Sequence, residues 1–258
     1  MSVFAFSDLH AQYNLWEQIK NYIKPEDIAY CLGDCVDRGP VGLEILNEII
    51  EMPNITLLRG NHEDFIDSIG TKLINYNPDQ FDDKDLFYSF PTLYLWYSNG
   101  AENTIDAFKK LSKGKKQWLI NKIRKLPTHA EYINTKGDII YLCHAGRQPD
   151  VEEIKDMYMG DIPMNNYIWD RNHIKEQHWR GKDNEYCVHG HTPVEYMKYY
   201  LKSYSANLPK SKYKIYKYCD NHKINIDLGS FDTHCTCLLN LDTFEPIYFK
   251  DKTIFEKE

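Results

Sequence analysis

Gly33-Asp34-Cys35-Val36-Asp37-Arg38-Gly39 follows directly on a short apolar run, Ile28–Leu32. The apolar run is typical of a buried β-strand, and the glycines at both ends of the stretch permit a tight, closely approached loop. This loop places two carboxylates and an arginine immediately beyond the end of a strand. We therefore interpret the stretch as part of a functional site.

The same arrangement recurs on both sides of this stretch. Val3–Phe6 precedes Asp8-Leu9-His10, and Ile55–Leu58 precedes Arg59 and Gly60-Asn61-His62-Glu63. Such an alternation predicts an α/β fold in which the loops at the carboxyl ends of the strands share one crevice. The helical patterns between these strands are Leu15–Ile23 and Leu43–Ile50.

The second half of the chain repeats the pattern with histidines. Strand-like runs lead into His144 and into His189-Gly190-His191-Thr192. Between the halves, residues 71–126 are predicted to be helical and to cap one side of the crevice, with Ala101–Leu111 and Gln117–Leu126 as the clearest helices. We expect two layers of sheet flanked by helices. The strands predicted for the second half are Ile139–Leu142, Glu185–Val188, Lys223–Ile226 and Cys235–Leu239.

The composition is that of an ordinary globular protein, with 42% hydrophobic and 27% charged residues among 258, and we expect one domain over residues 1–258. The net charge of −7 argues against a bulk electrostatic grip on nucleic acid. No basic leader or membrane-length apolar stretch is found, so a cytoplasmic protein without membrane partners is expected. Seven cysteines fit reduced thiols, and His234-Cys235-Thr236-Cys237 is interpreted as an alternating strand rather than a zinc fragment.

The order of the motifs along the chain resembles that of a known protein family. They are, in order, Asp-x-His, Gly-Asp-x-x-Asp-Arg-Gly, Gly-Asn-His-Glu, a later His and Gly-His-Thr. Over Val3 to Gly229 this order resembles the phosphoprotein phosphatase family of calcineurin-like metallophosphoesterases, with His144-Ala145-Gly146 most similar to its bacterial and phage branch. The resemblance implies a four-layer α-β-β-α sandwich of two mixed sheets flanked by helices. Ala11 stands where the family commonly has glycine, but no ligand is missing.

The resemblance also implies a binuclear metal centre. Manganese is the expected metal, with iron or zinc as alternatives, because mixed oxygen and nitrogen ligands suit all three. Two such ions hold a bridging hydroxide that attacks phosphorus in line with the leaving group. Six residues resemble the ligands: Asp8 and His10 for the first ion, Asn61, His144 and His191 for the second, and Asp34 as the bridge.

Further motif residues resemble groups that act on the substrate. His62 is similar to the family's general acid, which protonates the departing alkoxide, and Asp37 to the carboxylate that orients it. Arg38, Arg59 and Arg171 resemble phosphate-binding residues, since a planar guanidinium matches two oxygens at once. Arginines also form structural ion pairs, and that alternative stays open for Arg59 and Arg171.

The expected activity is metal-dependent hydrolysis of phosphate monoesters, with phosphoserine and phosphothreonine in proteins as the expected substrates. Two alternatives would use the same metals: hydrolysis of symmetrical dinucleoside tetraphosphates, and removal of phosphate from nucleic-acid ends. An inactive binding protein on the same scaffold is disfavoured, because neither a ligand nor His62 is missing. The expected partner is therefore a phosphoprotein or a small phosphorylated substrate.

Residues 196–223 form a basic, tyrosine-rich insertion, with seven lysines and seven tyrosines against one acidic residue, Asp220. One interpretation is a solvated hairpin in which tyrosines pack and lysines extend. The other is a basic lip near the active site that attracts anionic substrates. The family pattern favours His191 over the nearby His189 as the ligand. Five other histidines are expected to be structural or surface residues: His129, His173, His178, His222 and His234.

Overall fold

Two five-stranded mixed sheets are the framework of the computed structural model, within its described residues 1–74, 91–146, 166–176, 178–201 and 208–255. In the first sheet β1, β2 and β3 are parallel to one another. β9 is antiparallel to β1, and β10 is antiparallel to β9. The loops that follow β1, β2 and β3 therefore leave the same edge. The strands are β1 (Val3–Phe6), β2 (Ile28–Cys31), β3 (Ile55–Leu57), β9 (Cys235–Asn240) and β10 (Pro246–Lys250), in the order β10-β9-β1-β2-β3.

The second sheet has the same mixed character. Its central strands β5, β6 and β8 are parallel, while β4 and β7 are antiparallel strands at its two edges. The loops after β5 and β6 therefore also leave one edge together. The strands are β4 (His129–Ile133), β5 (Ile139–Cys143), β6 (Glu185–His189), β7 (Tyr216–Tyr218) and β8 (Lys223–Asn225), in the order β4-β5-β6-β8-β7.

The helices form where apolar residues recur at helical spacing. In α1, for example, Leu15, Trp16 and Ile19 are buried on one side. The helices are α1 (Tyr13–Tyr22), α2 (Gly42–Glu51), α3 (Asn61–Leu73), α4 (Pro91–Ser98), α5 (Glu102–Lys110), α6 (Lys113–Arg124), α7 (Asn166–Trp169), α8 (Val194–Leu201), α9 (Ser230–Thr233) and α10 (Lys252–Phe255), with a 3-10 turn at Asn172–Lys175.

The layers follow from the alternation of side chains along the strands. In β1, Phe4 and Phe6 are buried in a core shared with the helices, whereas Val3 and Ala5 are buried in a core between the sheets, with Val188 of β6. A third cluster packs α8 and the 3-10 turn against the second sheet: Ile174, Met197, Leu201, Tyr218 and Cys219. The predicted four-layer α-β-β-α sandwich is confirmed.

The strands that sequence analysis missed lie at the sheet edges. β4, β7 and β10 have half-exposed side chains, so their apolar pattern is weak. The predicted strands and helices formed nearly as expected, except that α6 begins at Lys113 because Ser112 accepts a hydrogen bond from the backbone of Lys115. The cap range 71–126 contains α4, α5 and α6, and its residues 75–90 lie outside the described residues. The single-domain organisation stays a prediction.

The loops after β2 and β3 touch backbone to backbone. Gly33 has a φ of 106°, and a Cβ added to it would lie 2.6 Å from both the Cα and the backbone N of Gly60. No side chain fits into such a gap. The first glycine of the quoted stretch is therefore required by the approach of two loops.

We predict that Gly33→Ala destabilises the protein by about 2–6 kcal/mol, since overpacking and left-handed strain each cost ~1–3 kcal/mol. Gly137→Ala is the matched control, because Gly137 has a φ of 86° but no atom within 4 Å of an added Cβ. Urea unfolding followed by circular dichroism measures both variants. Equal losses would contradict a special role for the contact between the loops.

Candidate active site

The six predicted metal ligands come together in one buried crevice. Each lies at or just beyond the end of a parallel strand, or at the start of the helix that follows. The exposed fractions are at most 6% for all of them: Asp8, His10, Asp34, Asn61, His144 and His191. Polar groups buried this deeply need partners that compensate for the loss of solvation.

The backbone of this crevice is strained. Among non-glycine residues, φ is positive at Asp8 (54°), His10 (41°), Asp34 (57°) and His191 (67°). Left-handed conformations of such residues cost on the order of 1–3 kcal/mol each and persist only where the surroundings impose them. The left-handed residues thus coincide with predicted metal ligands, so the strain is concentrated in the loops of the crevice.

One group of ligand atoms is formed around Asn61. His144 donates from Nδ1 to the carbonyl of Leu32 at 2.9 Å, so in the neutral ring its Nε2 carries the lone pair. That nitrogen lies 2.9 Å from Oδ1 of Asn61, 3.2 Å from Nδ1 of His191 and 3.2 Å from Oδ2 of Asp34. Nε2 of His144 thus lies at close range to two acceptor oxygens and to a ring nitrogen of His191.

A second group is formed around Asp34. His10 donates from Nδ1 to the carbonyl of Val36 at 3.0 Å, and its Nε2 lies 3.7 Å from Oδ2 of Asp34. Nε2 of His62 lies at the same distance from this oxygen. His10, Asp34 and His62 form one set with ligand atoms within 4.8 Å of one another, and Asp34, His144 and His191 form another. Asp34 is therefore common to both sets.

Asp8 lies beside these sets rather than within them. Its two carboxylate oxygens accept the backbone N–H of His191 at 3.2 and 3.0 Å, and Oδ2 also accepts the hydroxyl of Ser7. Burial raises the pKa of Asp8, and the nearby Asp34 adds to this effect while His144 opposes it. Asp8 thus joins the two halves of the crevice.

The electrostatics of the crevice favour an added positive charge. Burial opposes ionisation of Asp34, but His144 and His62 outweigh it and hold the pKa of this carboxyl well below its usual range. Burial likewise disfavours protonation of His144, yet Asp34 and Asp8 raise its pKa to about 9. A positive charge stabilises the oxygens of Asn61 and Asp34 that face His144. A proton on His144 is one source of this charge, and a divalent cation is another. The residues present therefore fit a metal site.

His191 supports the same conclusion. Its Nδ1 lies 2.8 Å from Oδ1 of Asn61, and its Nε2 is buried without a hydrogen-bond partner among the described residues. Burial lowers its pKa, and Arg171 and His144 lower it further. A neutral imidazole beside an amide oxygen is a suitable ligand for a transition metal.

His62 is oriented by the cap. Its Nδ1 lies 2.5 Å from Oδ2 of Asp37, and Trp96 of α4 donates to the same oxygen at 2.7 Å. The backbone N–H of Asp37 donates to the hydroxyl of Thr104 in α5 at 3.0 Å. Burial disfavours protonation of His62, but Asp34 and Asp37 raise its pKa. His62 is therefore fixed with Nε2 toward Asp34, as both a ligand and a proton donor would require.

The predicted phosphate-binding arginines differ in their surroundings. Arg59 contacts Asp64 and Asp67, with 2.6 Å from one guanidinium nitrogen to an oxygen of each. These are the contacts of a structural ion pair, and they give no support to a phosphate-binding role. Arg38 and Arg171 are half-buried, Arg171 donating from Nε to the hydroxyl of Thr192 at 3.2 Å.

Two acidic residues without an assigned role complete the crevice. Glu63 accepts the backbone N–H groups of Asp34 and Cys35 at 2.8 Å each and that of Gly60 at 3.1 Å, and burial raises its pKa to about 7. Asp227 is buried near Asp8, and both influences raise its pKa well above the usual range. Two sequence signals could have located these residues: Glu63 ends the Gly-Asn-His-Glu motif, and Asp227 follows the predicted strand Lys223–Ile226.

Comparison with known proteins identifies the family. A model of the calcineurin-like phosphoesterases matches residues 1–226. The chain belongs to this family. The calcineurin-like phosphoesterases are metal-dependent hydrolases of phosphate esters, and the buried residue sets of this chain that could hold a metal ion agree with that chemistry.

Curated relatives match this phosphoesterase over a short part of its length. Two proteins of Caenorhabditis elegans, each named "putative serine/threonine-protein phosphatase", are 44% identical over 63 residues and 41% identical over 68 residues. These matches cover 22% and 24% of the chain but only 17% and 15% of the relatives.

Solved structures share its fold across nearly the whole chain. A "putative diadenosine tetraphosphatase" has a TM-score of 0.55 at 13% identity and covers 96% of this chain and 92% of its own. A metallophosphoesterase from Sphaerobacter thermophilus has a TM-score of 0.52 at 18% identity, covering 96% and 86%. A serine/threonine phosphatase from Saccharomyces cerevisiae has a TM-score of 0.52 at 11% identity, covering 97% and 80%. At these identities the likeness concerns the fold alone.

The described helices of this phosphoesterase are short. None of them combines the length and the apolar character that crossing a bilayer requires.

We predict that Asp34→Asn lowers both the metal content and the turnover of this phosphoesterase, because the residue common to both ligand sets loses its charge. Asp106→Asn, an exposed change on α5, is the control. Elemental analysis after dialysis and hydrolysis of p-nitrophenyl phosphate measure the two effects. Full metal content with parental turnover in Asp34→Asn would remove Asp34 from the centre.

Proposed function

We propose that this phosphoesterase is a binuclear metal-dependent phosphomonoesterase that dephosphorylates phosphoserine and phosphothreonine in proteins. The observation that carries the proposal is the orientation of His62, whose Nδ1 is held by Asp37 while Nε2 faces Asp34. This geometry presents a proton donor beside the ligand sets. A proton donor is needed most when the leaving group is a strongly basic alkoxide.

The metal ligands are assigned as the motif resemblance implies. Asp8 and His10 would hold a first ion, Asn61, His144 and His191 would hold a second, and Asp34 would be shared between them. The chemistry that bound divalent ions supply here is acidification of water and neutralisation of the phosphoryl oxygens. Manganese is the proposed metal. The backbone carbonyls of Leu32 and Val36 fix the tautomers of His144 and His10, so each presents Nε2 to the crevice.

The leaving group decides between monoesters and anhydrides. A serine or threonine alkoxide is a poor leaving group, and a placed acid contributes about 10²–10⁴-fold in such reactions. A phosphate leaving group from an anhydride is far less basic and needs little protonation. The fixed His62–Asp37 pair is therefore better explained by an alcohol ester than by a dinucleoside tetraphosphate.

Arg38 and Arg171 are proposed to hold the phosphoryl oxygens. Each lies close enough to influence a histidine of the crevice: Arg38 lowers the pKa of His10, and Arg171 lowers that of His191, in both cases after the larger effect of burial. A guanidinium can donate to two oxygens at once, which fixes the orientation of a phosphoryl group.

The protein substrate rests on the relatives' names and on the ester argument. Relatives 44% and 41% identical over short segments carry the name of serine/threonine-protein phosphatases. The cytoplasm is the proposed location. Hydrolysis of a dinucleoside tetraphosphate or of a nucleic-acid end remains an outcome that experiment can reveal.

We predict that His62→Asn slows hydrolysis of a phosphoserine peptide about 10²-fold or more, but slows hydrolysis of p-nitrophenyl phosphate much less. A nitrophenolate leaves with little protonation, whereas an alkoxide does not. Elemental analysis should find unchanged metal content, which separates the acid from a ligand. Equal losses on both substrates, or loss of metal, would indicate that His62 is a metal ligand rather than the general acid.

We predict that the manganese-supplemented protein hydrolyses phosphoserine and phosphothreonine peptides with a higher kcat/KM than diadenosine tetraphosphate or a 3′-phosphorylated oligonucleotide. Phosphate release at matched substrate concentrations measures all of them. Preference for the tetraphosphate would replace the protein substrate by the anhydride alternative. Preference for the oligonucleotide would instead indicate a nucleic-acid-end phosphatase.

A further inference from the structure

A chain of buried hydrogen bonds lies directly behind the ligand loops. The hydroxyl of Tyr218 lies 2.8 Å from Nε2 of His189 and 3.2 Å from Nδ1 of His173. The exposed fractions are 7% for Tyr218, 1% for His173 and 0% for His189. We call these three residues the tyrosine bridge. Neither histidine is one of the predicted ligands.

The contact of His189 with Gly190 favours one arrangement of the protons in the tyrosine bridge. His189 donates from Nδ1 to the carbonyl of Gly190 at 3.1 Å, so its Nε2 accepts the hydroxyl proton of Tyr218. The hydroxyl oxygen then accepts from Nδ1–H of His173. In this assignment of tautomers the three side chains form one continuous run of donors and acceptors.

Both ends of the tyrosine bridge contact backbone next to a predicted ligand. Gly190, which accepts from His189, donates its N–H to the carbonyl of His144 at 2.8 Å and immediately precedes His191. The ring of His173 lies against Gly146, where an added Cβ would be 2.2 Å from Nε2 of that ring. The bridge thus spans the two loops whose imidazoles converge on Asn61.

The far side of the tyrosine bridge is also anchored. The fully buried Lys223 donates to the carbonyl of His173 at 2.9 Å and forms an ion pair of 2.7 Å with Glu176. Tyr218 and Lys223 are partners in the pairing of β7 with β8. The lysine- and tyrosine-rich insertion therefore reaches the ligand loops from the side opposite the crevice.

We propose that the tyrosine bridge is a positioning device that holds the His144 and His191 loops in the geometry of metal binding. The proposal rests on the proposed function, which assigns His144 and His191 as metal ligands. A metal ligand must be held closely in place, and partners behind the ligands typically change affinity by about 10–100-fold when removed. The hydroxyl of Tyr218 is the central hydrogen-bonding link, because it lies within hydrogen-bond distance of both His189 and His173.

The test compares two variants that each lose one hydroxyl. Tyr218→Phe breaks the bridge, while Tyr132→Phe removes a hydroxyl that donates to Asp242 at 3.0 Å on an edge strand of the same sheet. Titration calorimetry with Mn²⁺ on metal-free protein should give a Kd raised about 10-fold or more by Tyr218→Phe, and unchanged by Tyr132→Phe. At saturating Mn²⁺, KM for p-nitrophenyl phosphate should stay within about twofold of the parent value for both.

A second pair of variants separates the hydrogen bond from packing. His189→Gln can keep an acceptor for Tyr218, whereas His189→Leu cannot, so Mn²⁺ affinity should fall less for Gln than for Leu. Parental Mn²⁺ affinity in Tyr218→Phe, or equal losses for Gln and Leu, would overturn the positioning role even if thermal stability falls. Failure of the parent itself to bind divalent ions would overturn the proposed function as well, which distinguishes the two.

Discussion

The repulsion among buried acceptor atoms is the constraint on which the rest of the crevice depends. Nε2 of His144 lies 2.9 Å from Oδ1 of Asn61 and 3.2 Å from Oδ2 of Asp34, so without a positive charge three acceptor atoms are crowded together in a buried site. A positive charge at their centre turns the repulsion into attraction. The fold must therefore keep these groups close together although they repel one another in the absence of that charge.

Close packing supplies the force that holds them. The positive φ values of Asp34, His10 and His191 are maintained because the loops have no room to relax: Gly33 lies against Gly60, and an added Cβ on Gly190 would be 2.0 Å from a carboxylate oxygen of Asp8. The apolar core between the two sheets fixes the strand ends from which these loops leave. Strain at the crevice is thus offset by burial away from it.

The sequence predicted the parts of this structure whose signals are local. Apolar runs followed by polar motifs located β1, β2 and β3, because a buried parallel strand needs a continuous apolar segment and its loop carries the chemistry. Edge strands such as β4 could not be found in this way, since half-exposed positions tolerate any residue. The contacts of Trp96 and Thr104 with Asp37 were also beyond prediction, because they join segments distant in sequence through packing alone.

Charge in the insertion illustrates the same limit. A count of residue types gives residues 196–223 seven lysines, but position decides how much of that charge reaches solvent. Lys223 is fully buried against Glu176, and Lys212 lies 3.8 Å from Glu195. Residues 202–207 lie outside the described residues, yet the described part already departs from a uniform basic lip. A buried lysine with a carboxylate and a carbonyl as partners is costly to remove but adds little field outside the protein, so it fixes a strand rather than attracts a substrate.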